Sequence, residues 1–299
     1  MQGIVGWLTG WSLILGLAVA AQAEGTIRFG AMPYLNSLEL VERFTPVLQY
    51  LEKRLEQPIK MEIPPNFRIL IDQLGKNELD FVFFGPVPYL RLLEEYGAKP
   101  ILAMEELGGK RSYHGVVFVR QESSIQKLAD LAGKRFAFGD PDSTMNHSLP
   151  KMMLFHAGVP LKDLAEFKFV GNNQNVVLSV LMGNHDAAGV KEDVYEKYAP
   201  RGLRVIARSP PVPNLLFVAG SHMPREWVER MQQAMTTLHQ TPEGMAALKK
   251  YNPDITSLVT AQDGDFSSLR EFMKESKIPV QPAQVSVPFQ PEINPLHQP

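Results

Sequence analysis

Hydroxyl, amide and imidazole side chains are concentrated in residues 138–150. A short apolar strand is predicted before this segment and a helix after it, so the cluster occupies a strand–turn–helix junction. The first backbone N–H groups of a helix lack partners within it, and the helix dipole is positive at that end. With the hydroxyls of Ser143 and Thr144 added, the junction predicts a receptacle for a small oxyanion. The alternative is that these side chains only cap the helix.

The remaining pattern of the chain predicts the scaffold that positions this junction. Short apolar runs alternate with segments of helical periodicity, and the first ninety residues predict the order βαβαβα once the export signal is set aside. The third strand, 80–84, is apolar on both faces, which predicts a parallel sheet between helices. A second α/β unit follows, and strands near 112–118 and 212–219 are predicted to cross between the units. Because ligands bind beyond the carboxyl ends of such strands, we expect a cleft between two lobes.

The two ends of the chain differ from this pattern. Residues 1–23 form an apolar stretch that ends in Ala21-Gln22-Ala23, which predicts a cleaved export signal and a mature protein in the periplasm. No Lys or Arg precedes that stretch, and an uncleaved membrane anchor is the alternative. Residues 279–299 are rich in proline and are expected to be extended or disordered. The domain boundaries follow in sequence order. The predicted first lobe comprises 24–114 and 218–278, and the second lobe comprises 115–217.

The composition excludes several classes of function. The 299 residues carry a net charge of −2, so there is no electrostatic reason to expect a nucleic acid as partner. The absence of cysteine removes disulfides, thiol nucleophiles and a lipid-attachment cysteine. The seven histidines show no metal-binding spacing, and no nucleophile–base pair or P-loop is present. We therefore expect no enzyme, no cofactor and no metal, and we expect a monomer.

Four segments, taken in order, resemble the phosphate/phosphite/phosphonate-binding periplasmic proteins of ABC transporters. They are 27–34, the D-x-x-x-F-G-P-x-x-Y stretch within 79–89, the aromatic-led strand 113–120, and 140–144 at the start of the anion loop. The resemblance extends over about 27–274. It implies an α/β, two-lobed periplasmic-binding-protein fold of type II, in which each lobe is a mainly parallel sheet with helices on both faces. It also implies capture of a small oxyanion and delivery to a permease in the inner membrane.

The resemblance also implies a set of ligand-binding residues. Ser143 and Thr144 match the family's Ser-Thr pair, which donates hydrogen bonds to ligand oxygens. A further serine of the family is replaced by Met145 in this chain, so Asn146 or His147 would have to supply that donor. The other expected contacts are Tyr113 in the crossing strand, Phe67 where a tyrosine is common, Tyr34 and Gly85 in the cleft loops, and Gln174 and Asn175 where many members have His and Asp.

Two further residues bear on the charge of the ligand. Lys191 could supply positive charge, or it could be a solvated lysine at a helix start. Asn214 falls near the position where aminophosphonate binders use an acidic residue for the ligand's ammonium group. Because Asn214 is neutral, the sequence favours a simple oxyanion or another small polar ligand over an aminoalkylphosphonate.

Two other functions stay open on the same fold. The segment Tyr34-Leu-Asn-Ser37 also resembles a chorismate dehydratase of menaquinone synthesis, so a secreted or periplasmic enzyme is one alternative. A ligand-sensing partner of a membrane receptor kinase is the other.

Overall fold

A computed structural model describes residues 25–275, so the predicted export signal at 1–23 and the tail at 279–299 lie outside the described residues. Within the described range the strands are β1 (Ile27–Ala31), β2 (Ile59–Glu62), β3 (Phe81–Phe84), β4 (Ile101–Leu107), β5 (Ser112–Tyr113), β6 (Gly115–Arg120), β7 (Arg135–Phe138), β8 (Glu166–Phe169), β9 (Ala187–Lys191), β10 (Leu203–Arg208), β11 (Val212–Pro213), β12 (Leu216–Ala219) and β13 (Ile255–Val259). The α-helices are α1 (Ser37–Leu55), α2 (Phe67–Gly75), α3 (Pro86–Tyr96), α4 (Leu149–His156), α5 (Asn173–Leu181), α6 (Glu192–Tyr198), α7 (Arg225–Thr236), α8 (Pro242–Tyr251) and α9 (Ser267–Glu275).

The strands form one sheet in each of two lobes. The first lobe contains the order β13-β4-β12-β3-β1-β2, and the second contains β10-β6-β9-β7-β8. The two-lobed α/β fold predicted above is confirmed, but both sheets are mixed rather than mainly parallel. Strands that follow helical crossovers, such as β1, β2 and β3, pair in parallel. The strands that enter from the other lobe, β6 and β12, pair antiparallel with their neighbours.

Aromatic packing fixes the first lobe around its central strands. Every residue of β3 is buried, and the ring of Phe83 lies 4.8 Å from that of Phe217 and 5.2 Å from that of Phe44. Phe44 belongs to the apolar face of α1, whose first turn is capped by the Asn36 side chain. This packing holds the carboxyl ends of β1 and β3 in place, and the loops that follow these ends face the second lobe.

A short ribbon joins the lobes. The chain leaves the first sheet through β4 and β5 and returns through β11 and β12, and β5 pairs antiparallel with β11. The predicted crossing strands were longer than this ribbon. Residues 115–120 belong to the second sheet, and the chain rejoins the first sheet at Leu216, slightly before the predicted boundary at 218. Among residues 25–275, no helix is both long and apolar enough to span a bilayer.

Candidate ligand-binding site

A cleft with a cavity of about 110 Å³ lies between the two lobes. The first lobe and its connection contribute Met32, Tyr34, Leu35, Arg43, Phe67, Gly85, Glu105, Tyr113, Leu215, Tyr251 and Asn252 to the wall. The second lobe contributes Ser143, Thr144, Met145, Asn146, Asn173, Lys191, Asp193, Val194 and Lys197. Eight of the twelve predicted ligand contacts therefore line the same cleft.

The predicted anion loop is one side of this cleft. Thr144–Ser148 forms a π-helical turn that leads into α4, and the Ser143 Oγ accepts a hydrogen bond from the Asn146 N–H at 3.2 Å. Ser143 and Thr144 are both buried and both line the cleft. Capping the turn and contacting a ligand are therefore compatible roles, because Ser143, which caps this turn, also lines the cleft.

Thr144 also contacts the opposite lobe. Its Oγ1 accepts a hydrogen bond from the Val87 N–H at 3.0 Å, in the first turn of α3. Gly85 precedes that helix and supplies no side-chain cap of its own. A hydroxyl can accept and donate at the same time, so the Thr144 hydrogen is still available to an oxyanion.

Asn146 lines the cleft with its side chain tied to a neighbouring loop. Its Nδ2 donates to the Asn173 Oδ1 at 2.6 Å, and its Oδ1 is buried without a hydrogen-bond partner among residues 25–275. Asn173 is the first residue of α5 and is not among the predicted ligand contacts. The predicted residues were its neighbours Gln174, which is exposed, and Asn175, whose Nδ2 donates to the Val170 carbonyl at 2.9 Å. Both lie outside the cleft lining, because α5 turns them away from it.

His147 also lies outside the cleft lining. Its ring packs between Phe138 and Phe169, with centroid distances of 5.1 and 5.0 Å, and its Nδ1 donates to the Pro141 carbonyl at 2.5 Å. Burial lowers the pKa of His147 to about 3, so the imidazole is neutral. His147 therefore supports the anion loop from behind instead of contacting the ligand.

This buried imidazole predicts a pH-dependent stability. The unfolded chain binds a proton at His147 below its ordinary pKa and the folded chain does not, so stability falls as the pH drops from about 6.5 towards 3. Between pH 6.5 and 5 the loss should be about 2 kcal/mol. A His147→Asn variant keeps a donor for the Pro141 carbonyl but has no group that titrates in this range. We expect its unfolding free energy, measured with urea, to lack this dependence on pH. The same pH dependence in both proteins would contradict the assignment.

Asn214 has a structural role. It is fully buried, and its Nδ2 donates to the carbonyls of Glu105 and Lys110 at 3.0 and 2.8 Å. These bonds tie the two crossing segments together, and Asn214 is not part of the cleft wall. The neutrality of Asn214 therefore gives no reason to disfavour an aminoalkylphosphonate.

Two carboxylates that sequence reasoning missed do line the cleft. Glu105, on β4, is only 2% exposed; its Oε1 accepts a hydrogen bond from the Tyr251 hydroxyl, and its Oε2 is buried without a partner among the described residues. Burial raises the pKa of Glu105. The Asp193 Oδ2 lies 3.2 Å from the Lys191 Nζ, whereas its Oδ1 is buried without a partner in the described range. We call Glu105 and Asp193 the acidic side of the cleft.

Aromatic rings complete this part of the wall. The Lys191 Nζ lies 4.8 Å from the centroid of the Tyr113 ring, a distance typical of a cation–π contact. Desolvation raises the pKa of Tyr34 and of Tyr113, so both phenols remain protonated near neutral pH. The cleft therefore combines hydroxyl donors, three cationic side chains (Arg43, Lys191 and Lys197) and two carboxylates, an arrangement suited to a small ligand that has both acceptor and donor groups.

Comparison with known proteins identifies the class. A family model described as "ABC transporter, phosphonate, periplasmic substrate-binding protein" matches residues 29–266. The phosphonates-binding periplasmic protein of Escherichia coli is 24% identical over 250 residues, covering 80% of this chain and 74% of its own length. The phosphate-import protein PhnD of Mycolicibacterium smegmatis is 26% identical over 232 residues, covering 70% and 72%. The structure of PhnD1 from Prochlorococcus marinus in complex with methylphosphonate superposes with a TM-score of 0.76 at 19% identity, covering 84% of this chain and 98% of that chain.

The chain has the two-lobed type II periplasmic-binding-protein fold, with a cleft between the lobes. Because the family model covers most of the chain, this protein belongs to the periplasmic substrate-binding proteins of phosphonate ABC transporters. The family assignment made from the four sequence segments is confirmed.

Proposed function

We propose that this chain captures a small phosphonate in its interlobe cleft, outside the cytoplasm, and presents it to an ABC permease. The observation that carries the proposal is the position of Ser143 and Thr144. Both residues line the cleft at the start of the helical turn that leads into α4. Unpaired N–H groups and hydroxyl donors at such a turn favour an oxyanion. The named ligands of the relatives, phosphonates and phosphate, support the same chemistry.

The acidic side of the cleft narrows the ligand class. A buried carboxylate oxygen without a partner costs free energy unless the ligand supplies a hydrogen-bond donor or a positive charge. Glu105 and Asp193 each present such an oxygen. We therefore propose a phosphonate whose substituent carries an amino or hydroxyl group. This replaces the expectation of a simple oxyanion, which depended on the neutral Asn214.

The family and the predicted export signal support the location, the partner and the chemistry that we propose. The mature protein acts in the periplasm as a monomer and releases its ligand unchanged to the permease. This proposal excludes both a dehydratase reaction and any other turnover of the ligand. The ligand-sensing alternative uses the same cleft and differs only in the membrane partner.

Calorimetric titration tests the function. Phosphate, phosphite, methylphosphonate and 2-aminoethylphosphonate are added to the mature protein, and ³¹P NMR follows each compound during a long incubation. We expect at least one phosphonate to bind and to raise the unfolding free energy by about 2.7 kcal/mol at a hundredfold excess over Kd, with no change in its ³¹P spectrum. Absence of binding by all four compounds, or formation of a product, would contradict the proposal.

The contact between Gly85 and Thr144 gives a prediction about closure. A Cβ atom added at Gly85 would lie 2.9 Å from the Thr144 Oγ1, too close for the lobes to keep their present approach. The Gly85 φ of −81° is one that alanine adopts readily, so the lobe itself should fold normally. We expect Gly85→Ala to weaken methylphosphonate binding by about 1–3 kcal/mol.

A matched substitution controls for the loss of a glycine. A Cβ added at Gly264 meets nothing within 4 Å, and this residue does not require a positive φ. Gly264→Ala should therefore bind like the wild type in the same titration. Equal affinity of the Gly85→Ala variant and this control would show that the lobes do not close on the ligand at Gly85.

A further inference from the structure

A buried ion pair joins the two lobes behind the anion loop. Arg91 belongs to α3 of the first lobe, and Asp142 directly precedes Ser143 in the second lobe. Their side chains are 6% and 4% exposed, and an Arg91 guanidinium nitrogen contacts the Asp142 Oδ1. Neither residue belongs to the cleft wall. The pair therefore contributes to the relation between the lobes and not to direct contact with the ligand.

Two further contacts hold the same loop against the first lobe. The Phe67 N–H, at the start of α2, donates to the Asp140 Oδ2 at 3.4 Å, and the Val87 N–H donates to the Thr144 Oγ1 at 3.0 Å. The Asp142 N–H donates to the Asp140 Oδ1 at 2.7 Å, which couples the two aspartates. Helices α2 and α3 thus hold residues 140–144 at three points, of which only the Arg91–Asp142 contact joins two charges.

The burial of Arg91 makes the pair decisive for closure. Its Nε is buried without a hydrogen-bond partner among residues 25–275, so this guanidinium depends on nearby carboxylates to offset its removal from water. Asp142 contacts it directly, and Asp140 also stabilises its charge. When the lobes separate, both charges regain water. Removing one partner therefore penalises the closed arrangement, which keeps the other charge buried, far more than the open one.

We infer that Arg91 is a positioning residue for ligand binding. By pairing with Asp142 across the lobes, it fixes the loop that carries Ser143 and Thr144 and stabilises the closed arrangement. The inference rests on the proposed function only for the affinity measurement, because the separation of the lobes can be measured independently.

The test compares broken, replaced and control ion pairs. Arg91→Met and Asp142→Asn each break the interlobe pair, and the double variant Arg91→Met/Asp142→Leu replaces it by an apolar contact. Arg135→Met breaks the Arg135–Asp186 pair, which lies within the second lobe, and serves as the control. Each protein is titrated with methylphosphonate and 2-aminoethylphosphonate, and its unfolding midpoint is measured without ligand.

The absence of cysteine allows clean spin labelling. Leu38→Cys on α1 and Glu196→Cys on α6 place one label on each lobe, at exposed positions on the two helices beside the cleft loops. Pulsed electron paramagnetic resonance then gives the label distances for every variant, with and without saturating ligand.

We expect both single variants to show longer label distances and at least about tenfold weaker binding, with unfolding midpoints close to the wild type. The double variant should recover short distances and most of the affinity, and the Arg135→Met control should match the wild type. Label distances that do not change in the single variants would overturn the inference, whatever the midpoint. If the wild type binds neither phosphonate but the label distances still increase in the single variants, the proposed function fails and the role of Arg91 in closure stands.

Discussion

Replacing Thr144 by valine should weaken methylphosphonate binding by more than a hundredfold. Valine has nearly the same shape but lacks the hydroxyl. The hydrogen bond to the charged ligand is lost, at about 1.5–3 kcal/mol, and the Val87 N–H loses its acceptor, at about 1–3 kcal/mol. Both losses occur only when the lobes are closed on the ligand, so the two free energies add and both weaken binding. Calorimetric titration of the purified variant measures the effect.

A conservative variant controls this experiment. Thr144→Ser keeps the hydroxyl and should bind within a few-fold of the wild type. Val87 is approached through its backbone only, so Val87→Ala leaves the acceptor–donor pair intact and should also have little effect. If Thr144→Val kept its affinity, the Thr144 hydroxyl would contribute neither a ligand contact nor an interlobe contact to the bound state, and the anion site would lie elsewhere in the cleft.

Glu105→Gln should lower the affinity for 2-aminoethylphosphonate relative to that for methylphosphonate. The amide still accepts the Tyr251 hydrogen bond but carries no charge. We expect 2-aminoethylphosphonate to lose about 2 kcal/mol, which is roughly thirtyfold in affinity, because its ammonium group loses a buried counter-charge. Methylphosphonate has no such group and should bind equally or better. The measured quantity is the ratio of the two dissociation constants.

The same substitution predicts a difference in pH dependence. Burial raises the pKa of Glu105, and only the ionised carboxylate can pair with an ammonium group. The affinity of the wild type for 2-aminoethylphosphonate should therefore rise with pH through that raised pKa, relative to the Glu105→Gln protein. Asp193→Asn offers a second test of the acidic side. An unchanged ratio in both variants would remove the amino and hydroxyl substituents from the proposal.

The sequence predicts the lobes and the anion loop because local patterns determine both. Alternating apolar runs and helical periodicity identify the elements, and a hydroxyl-rich turn before a helix identifies Ser143 and Thr144. The directions of the returning strands were missed, since β6 and β12 pair antiparallel after long connections that no local pattern records. Non-local pairing is decided by the joint packing of both lobes.

The wrong predictions in the site concern residues whose roles depend on which face of a helix they occupy or on hydrogen-bond partners far away in the sequence. Gln174 and Asn175 lie one and two residues beyond Asn173, and a shift of that size on a helix moves a side chain to another face. Asn214 was compared with an acidic residue by spacing alone, whereas its amide bonds to two backbone carbonyls more than a hundred residues away. Glu105 gave one readable signal, which is a carboxylate within the apolar strand 101–107. A buried charge in a strand that ends at a cleft is a candidate for ligand contact.

A crystal structure of the mature protein with methylphosphonate tests the central claim most directly. We expect the phosphonate oxygens within hydrogen-bonding distance of the Ser143 and Thr144 hydroxyls, at the start of the helical turn 144–148. Phosphonate bound beside Lys191 with both hydroxyls bonded only to protein, or bound outside the cleft, would contradict it.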